Sequence, residues 1–143
     1  GNGKGRVTIE LGLNGQFLIM TGQSEIAKVS VDYLKKNMHA SDEEIERFIS
    51  MPFRCIEFYT IDQKTGEVIA FMFDSLRCIA TGRGNRQGNK EIIDWQWQTG
   101  HKSTRITEKV SQDKMAVIEK TPMPDGSVME DRGEMIRCIP IEK

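Results

Sequence analysis

The sequence predicts a mainly β protein in which an antiparallel meander closes into a barrel, with a two-helix insertion at about residues 28–51. Three observations predict this class. Apolar and polar residues alternate over most of the chain, which is typical of half-buried β-strands. Turn-forming residues separate the alternating stretches at short, regular intervals, as they do in all-β domains. One stretch before residue 52 changes to the three-and-four spacing of amphipathic helices.

The first hairpin is predicted by a short turn signal between two apolar stretches. Asn14-Gly15 favours a type I′ turn, because both central residues of that turn need a positive φ. A second strand is predicted over residues 17–26. The apolar side of the first strand consists of Val7, Ile9, Leu11 and Leu13.

A pair of short helices is predicted between the second and third strands. Ser41 and Glu44 have the spacing of a capping box, in which each side chain accepts a hydrogen bond from the backbone N–H of the other residue. Pro52 ends the second helix, since proline cannot continue one. The apolar stripe of the first helix consists of Ala27, Val31, Leu34 and Met38.

The rest of the chain is predicted to form a meander of short strands. Residues 82–88 are glycine-rich and precede a strand, so they favour a hairpin over a phosphate-binding loop, which must open a helix. A long meander has to close or pair its edges. We therefore expect one barrel domain over residues 1–143. The predicted strands lie near residues 53–62, 67–75, 78–85, 90–99, 102–110, 114–122 and 127–139.

Composition argues against several classes of partner. The net charge is −1 and the charges are interspersed, which disfavours nucleic acids and membrane surfaces as partners. The chain has no apolar run long enough to cross a bilayer, and residues 1–5 do not have the pattern of a signal peptide. Three widely spaced cysteines predict neither a disulfide framework nor a zinc site. We therefore expect a cytoplasmic protein.

No catalytic or cofactor pattern is visible in the chain. The only histidines, His39 and His101, lie in predicted turns, so we expect neither a metal site nor a haem ligand. No Ser-His-Asp arrangement can be assembled from the sequence order. We therefore expect no cofactor.

The predicted ligand site is the interior of the barrel. Trp95 and Trp97 share one face of a strand, and the inner face of a small barrel either fills the core or lines a pocket. Arg132 and Arg137 lie on opposite faces of the last strand, where one of them could bind a carboxylate and surface ion pairs are the alternative. The candidate lining residues are Trp95, Trp97, Met20, Phe71, Tyr59, Arg132 and Arg137.

Four segments, in this order, resemble the motifs of one protein family. They are residues 12–18 (GLNGQFL), 59–66 (YTIDQKTG), 73–76 (FDSL) and 124–126 (PDG). Together they resemble an uncharacterised bacterial family of lipocalin-like proteins in the calycin superfamily. The chain differs in having Met72 where the family has Trp, and in lacking the family's Trp-bearing first strand. The resemblance implies a lipocalin-like barrel and brings no catalytic residues.

Three functional hypotheses are consistent with these observations. The first is a module that binds a small apolar or amphipathic ligand, with residues 28–51 as a lid. The second is a barrel-type enzyme, such as an isomerase, cyclase or hydrolase, that uses Asp74, Glu57 or Tyr59 for acid–base chemistry. The third is an assembly module in which strands 53–61 and 67–75 pack against a second copy. We expect a homodimer, because isologous dimers are the commonest oligomers.

Overall fold

The computed structural model describes residues 5–24 and 31–138, which form nine strands and two helices. The predicted elements are present and end within a few residues of their predicted bounds. Residues 25–30 and 139 lie outside the described residues; they include the predicted end of the second strand, Ala27, the predicted start of the helical pair and the predicted end of the last strand. The elements are β1 (Gly5–Gly12), β2 (Phe17–Ser24), α1 (Val31–Met38), α2 (Asp42–Ser50), β3 (Phe53–Ile61), β4 (Val68–Asp74), β5 (Ile79–Gln87), β6 (Lys90–Trp97), β7 (Lys102–Ser111), β8 (Lys114–Pro122) and β9 (Val128–Ile136).

The strands form one sheet in which spatial order follows chain order from β1 to β9. The antiparallel ladders confirm the predicted meander. The predicted closure is not found, because β1 and β9 are the two edge strands and no ladder joins them within the described residues. Alternation predicts strands and faces, whereas closure also needs a consistent strand tilt and register shear, about which alternation carries no information.

Contacts along the chain divide it into two compact units. The first unit comprises residues 1–60 and 70–81, and the second comprises residues 61–69 and 82–143. The first unit contains both helices and the hairpin β1–β2. The second unit contains the ladders from β6 to β9.

The β1–β2 hairpin turns at the predicted Asn14-Gly15, but its loop is longer than predicted: Gly12 pairs with Phe17, and Leu13, predicted in the strand, lies in the loop with a positive φ of 50°. Asn14 and Gly15 both have a positive φ, 58° and 80° respectively. The N–H of Gln16 donates to the carbonyl oxygen of Leu13 at 3.2 Å, which closes a four-residue β-turn. The local sequence therefore places the centre of this turn, because Asn and Gly adopt this backbone conformation more readily than other residues.

The second helix begins at the predicted capping box. The N–H of Glu44 donates to Ser41 Oγ at 3.3 Å, and the N–H of Ser41 donates to Glu44 Oε2 at 2.9 Å. The two helices share a small apolar core made by Leu34, Met38 and Ile45. No helix in residues 5–24 and 31–138 is long and apolar enough to span a membrane.

The turn between β4 and β5 fastens the helical pair. Arg77 has a positive φ of 62° and donates to the carbonyl oxygen of Met38 at 3.3 Å. Its guanidinium also forms an ion pair with Glu44 at 3.3 Å and lies 5.5 Å from the ring centre of Phe48. These three contacts of the guanidinium connect the β4–β5 turn to both helices.

The core of the second unit is built around Trp95, which is 1% exposed. Gly82 lies against it, and a Cβ on that glycine would lie 3.1 Å from the indole ring and 2.7 Å from Ile93. Part of the glycine-rich segment 82–88 is therefore required for packing inside β5, and the prediction of a hairpin strand in place of a phosphate loop is confirmed.

Candidate ligand-binding groove

A groove crosses one end of the first unit, where β1, β2 and β3 meet the residue that precedes β3. Its volume is about 610 Å³, which is within the range of small-molecule sites. Pro52 borders it beside β3. The polar side chains that line it are Arg6, Thr8, Thr21, Gln23, Ser24 and Arg54.

Strand register brings two arginines into this groove. Arg6 pairs with Gln23 across β1 and β2, and Gln23 pairs with Arg54 across β2 and β3. The three residues therefore form one row on the same face of the sheet. Because neighbouring strands lie about 4.8 Å apart, the two arginine Cα atoms are about 10 Å apart. An anion above Gln23 can thus receive donors from both guanidinium groups and from the amide.

The groove is positively charged. Arg6 and Arg54 are exposed, and within residues 5–24 and 31–138 no carboxylate lies within ion-pair distance of either guanidinium. By contrast, Arg83 in the second unit forms ion pairs with both Asp62 and Glu67. The two groove arginines therefore remain able to bind an external anion.

The same face of the sheet becomes apolar away from the arginines. This change is confined to β2 and β3: the next row runs from Thr8 through Thr21 to Ile56, and the row after it runs from Glu10 through Ile19 to Phe58. The ring of Phe58 meets that of Phe73 edge to face, with 6.3 Å between their centres. Ile56 is 42% exposed and Phe73 is 44% exposed. The first unit thus presents a basic groove continuous with an exposed apolar strip, here called the apolar strip and defined by Ile56, Phe58 and Phe73.

The opposite face of β3 contains a buried acid and a buried tyrosine. Glu57 is 2% exposed, and Tyr59 Oη donates to Glu57 Oε2 at 2.5 Å. Met20 is directly across from Glu57 on β2. Tyr59 and Met20, two predicted lining residues, therefore do lie close together. They line the buried face and point away from the groove, so a substrate in the groove cannot reach this carboxylate.

Asp74, the other predicted acid–base candidate, organises a turn. Its Oδ1 accepts hydrogen bonds from the backbone N–H of Leu76 at 2.8 Å and of Cys78 at 3.0 Å. Partial burial raises the pKa of Asp74, and these two donors oppose that shift. Burial likewise raises the pKa of the Cys78 thiol, which makes it a weaker nucleophile at neutral pH. This turn therefore has a structural explanation that does not require catalysis.

The predicted tryptophan pair belongs to the second unit. The ring centres of Trp95 and Trp97 are 6.4 Å apart, as expected for neighbours on one strand face. The guanidinium of Arg105 lies 5.3 Å from the ring centre of Trp95, and Arg105 also pairs with Glu119 at 3.5 Å. Trp95 is thus a core residue covered by packed groups, while Trp97 is half-buried beside His101.

The remaining predicted lining residues lie on the surface. Phe71 is exposed, on the face of β4 opposite Ala70. Arg132 is exposed and forms an ion pair with Glu130 at 2.9 Å, which is the surface alternative considered from the sequence. Arg137 is exposed and lies one residue beyond the end of β9. Phe71 belongs to the first unit, as Tyr59 and Met20 do, whereas Arg132 and Arg137 belong to the second.

Sequence reasoning did not identify Arg6 and Arg54. Each is an ordinary polar residue in an alternating strand, and such residues usually face solvent without a specific role. Only the ladder register places them in one row with Gln23. The first strand does carry a local signal, since Arg6 and Thr8 share its polar side.

Metal binding has no structural support in the part of the chain that is described. No three His, Cys, Asp or Glu side chains converge among residues 5–24 and 31–138. His39 lies between the two helices, and His101 lies in the turn after β6. Both histidines are exposed, as expected from their turn positions.

Comparison with known proteins gives no relative. No protein-family model, no curated protein and no solved structure matches the chain. The resemblance to bacterial lipocalin-like proteins, the single domain, the cytoplasmic location and the homodimer therefore stay predictions. The geometry of the described residues is the basis on which a function can be proposed.

Proposed function

We propose that this protein is a binding module for a small amphipathic anion, held by its charged end in the groove of the first unit. The observation that carries the proposal is the row Arg6, Gln23 and Arg54, in which two arginines lack an ion pair within the described residues. This is the amphipathic-ligand hypothesis drawn from the sequence, moved from a barrel interior to the open face of β1–β3.

The charged end of the ligand is a carboxylate or a phosphate monoester. Guanidinium groups bind both with paired, charge-assisted hydrogen bonds. Gln23 adds an amide donor between them, and Thr8 and Thr21 add hydroxyl groups one row away. Anions of this type are small enough to fit between the two arginine side chains.

The apolar end of the ligand lies along the apolar strip. Ile56 follows Arg54 by two residues on the same strand, so the strip begins directly beside the groove. Exposed apolar area of this kind gains about 25 cal/mol for each Å² that a ligand covers. A neutral or short anion would use only one end of the site and would bind more weakly.

Titration calorimetry with decanoate tests this proposal. We expect decanoate to bind, and both decanol and acetate to bind at least about tenfold more weakly, because each probe lacks one end of the amphipathic molecule. Arg54→Ala removes one charge-assisted contact and should weaken decanoate binding by about tenfold or more.

The matched control is Arg132→Ala, which removes an exposed arginine of the second unit that is already paired with Glu130. This variant should bind decanoate as the unchanged protein does. Equal binding of decanol and decanoate, or an unchanged affinity in Arg54→Ala, would show that the groove does not select an anion.

The enzyme hypothesis has weaker support. Glu57 is a buried carboxylate of the kind that hypothesis requires, but it lies on the face of β3 that is closed to the groove. The carboxylate of Asp74 accepts two backbone hydrogen bonds within its own turn. Neither acid has a substrate site beside it in the described geometry, so we propose binding and no reaction.

A further inference from the structure

The edge strand β1 presents an unpaired side to solvent. It pairs only with β2, so the outward backbone groups of every second residue have no strand partner within the described sheet. Val7, Ile9 and Leu11 share one face of β1 and are 41%, 46% and 70% exposed. A long edge strand with an exposed apolar row and no proline or lysine between Gly5 and Gly12 is a site for pairing with another strand.

The order of residues in β1 indicates which strand would pair with it. When β1 is placed antiparallel to a second copy of itself, with Thr8 opposite Thr8, Arg6 lies opposite Glu10 and Glu10 lies opposite Arg6. The same register places Val7 opposite Ile9 on the other face. Side chains directly across an antiparallel pair have Cβ atoms about 4.5–5.5 Å apart, which is close enough for an ion pair.

We propose that two copies of this chain form an isologous dimer by antiparallel pairing of their β1 strands, centred on Thr8. A two-fold axis at Thr8 makes both ion pairs identical and aligns the outward backbone groups of the two strands. The interface joins the two sheets edge to edge and leaves the faces of both available. It shares Arg6 and Thr8 with the proposed groove, whereas Arg54 and the apolar strip lie on β3 and β4 and belong to the ligand site alone.

Charge exchange at residues 6 and 10 tests the register. A monomer has a mass of 16.3 kDa, so sedimentation equilibrium separates monomer from dimer directly. Glu10→Arg converts two attractive pairs into two repulsive ones and should weaken the dimer by about tenfold or more. Arg6→Glu should weaken it to a similar extent. The double exchange Arg6→Glu with Glu10→Arg restores opposite charges across the axis and should restore dimerisation.

Four results would overturn the proposal. The first is a monomeric unchanged protein at high concentration. The second is a dimer that persists in both single variants. The third is a dimer lost in Phe73→Asp and unaffected in Glu10→Arg, which would place the interface on the sheet face predicted from strands 53–61 and 67–75. The fourth is a series of oligomers larger than the dimer, because only heterologous pairing of two different edges can keep adding copies of the chain.

Ligand binding and dimerisation fail separately. Arg54→Ala should weaken decanoate binding while leaving the dimer intact, because Arg54 lies on β3, away from the paired edge. Glu10→Arg should weaken the dimer without weakening decanoate binding, because it removes the carboxylate that pairs with Arg6 of the other copy and does not change a residue that lines the groove.

Discussion

The two edge strands of the sheet, β1 and β9, differ in how they meet solvent. Between its Arg6 and Glu10, β1 carries no charged residue, and its apolar row is exposed. The centre of β9 carries the consecutive charged pair Asp131-Arg132 with further acids on either side. Natural sheets use charges on edge strands to prevent unwanted pairing. The β9 edge is therefore protected, and the β1 edge is open to a partner.

Self-pairing shows the same difference. Pairing β9 with its own copy about Asp131 would put two aspartates face to face. Pairing it about Arg132 would oppose two arginines and also set Glu130 against Glu134. Like charges directly opposite one another destabilise a strand pair. About Arg132, β9 therefore has only like-charge pairs among its facing charges, and about Asp131 the facing aspartates oppose the attraction of Glu130 and Arg132, whereas β1 has no like-charge pair about Thr8.

The largest effect is expected when a like-charge contact is introduced at the centre of the β1 edge. Thr8→Asp places two carboxylates face to face on the proposed axis, and like-charge contacts at an interface cost several kcal/mol. The dimer dissociation constant should rise by about a hundredfold, measured by sedimentation equilibrium. Thr8→Asn has nearly the same size and no charge, so it should leave most of the dimer intact. Equal loss in both variants would mean that shape, and not charge, decides the contact.

A smaller effect is expected when the two charges at the centre of β9, which would discourage strand pairing, are removed. The double change Asp131→Asn and Arg132→Gln removes both central charges and keeps the net charge of the protein unchanged. We expect weak further association, visible by light scattering as an average mass that rises above the dimer with concentration. If the average mass stays at that of the unchanged protein, the charges of β9 have no protective role.

The smallest effect concerns the contribution of the β9 charges to folding. Lys114 on β8 forms an ion pair with Glu134 on β9 at 2.8 Å, and both side chains are partly exposed to solvent. Lys114→Ala should lower the free energy of unfolding by about 0.2–1 kcal/mol, since exposed pairs contribute little. Urea unfolding of this variant, of Glu134→Ala and of the double variant measures the coupling. A coupling well above this range would show that β9 is held by its charges.

Much of the fold is predictable from local patterns. The Asn14-Gly15 turn, the capping box at Ser41 and the strand bounds from residue 53 onward are predicted because each depends on residues close in sequence. Closure of the barrel is not predictable in this way. It depends on register shear accumulated over nine strands, and the sheet instead has β1 and β9 as open edges.

The candidate site is predicted less well, since its residues are far apart in the chain. Trp95 is on an apolar strand face as expected, but packing makes it a buried core residue. Arg132 is of the residue type that binds carboxylates, but it already forms an ion pair with Glu130. Whether an arginine is available for an external anion depends on the groups around it, and sequence order does not specify those groups.

Local sequence is enough to specify the antiparallel meander, the helical pair and the charge pattern of β1, because alternation, turn residues and caps act over a few residues. Only the folded sheet places Arg6 and Arg54 in one row and buries Glu57 while Ile56 stays exposed, and only the sheet makes β1 and β9 its edge strands within the described part of the chain. Those outcomes depend on strand register and on which face is covered, and both arise only when distant segments pack together.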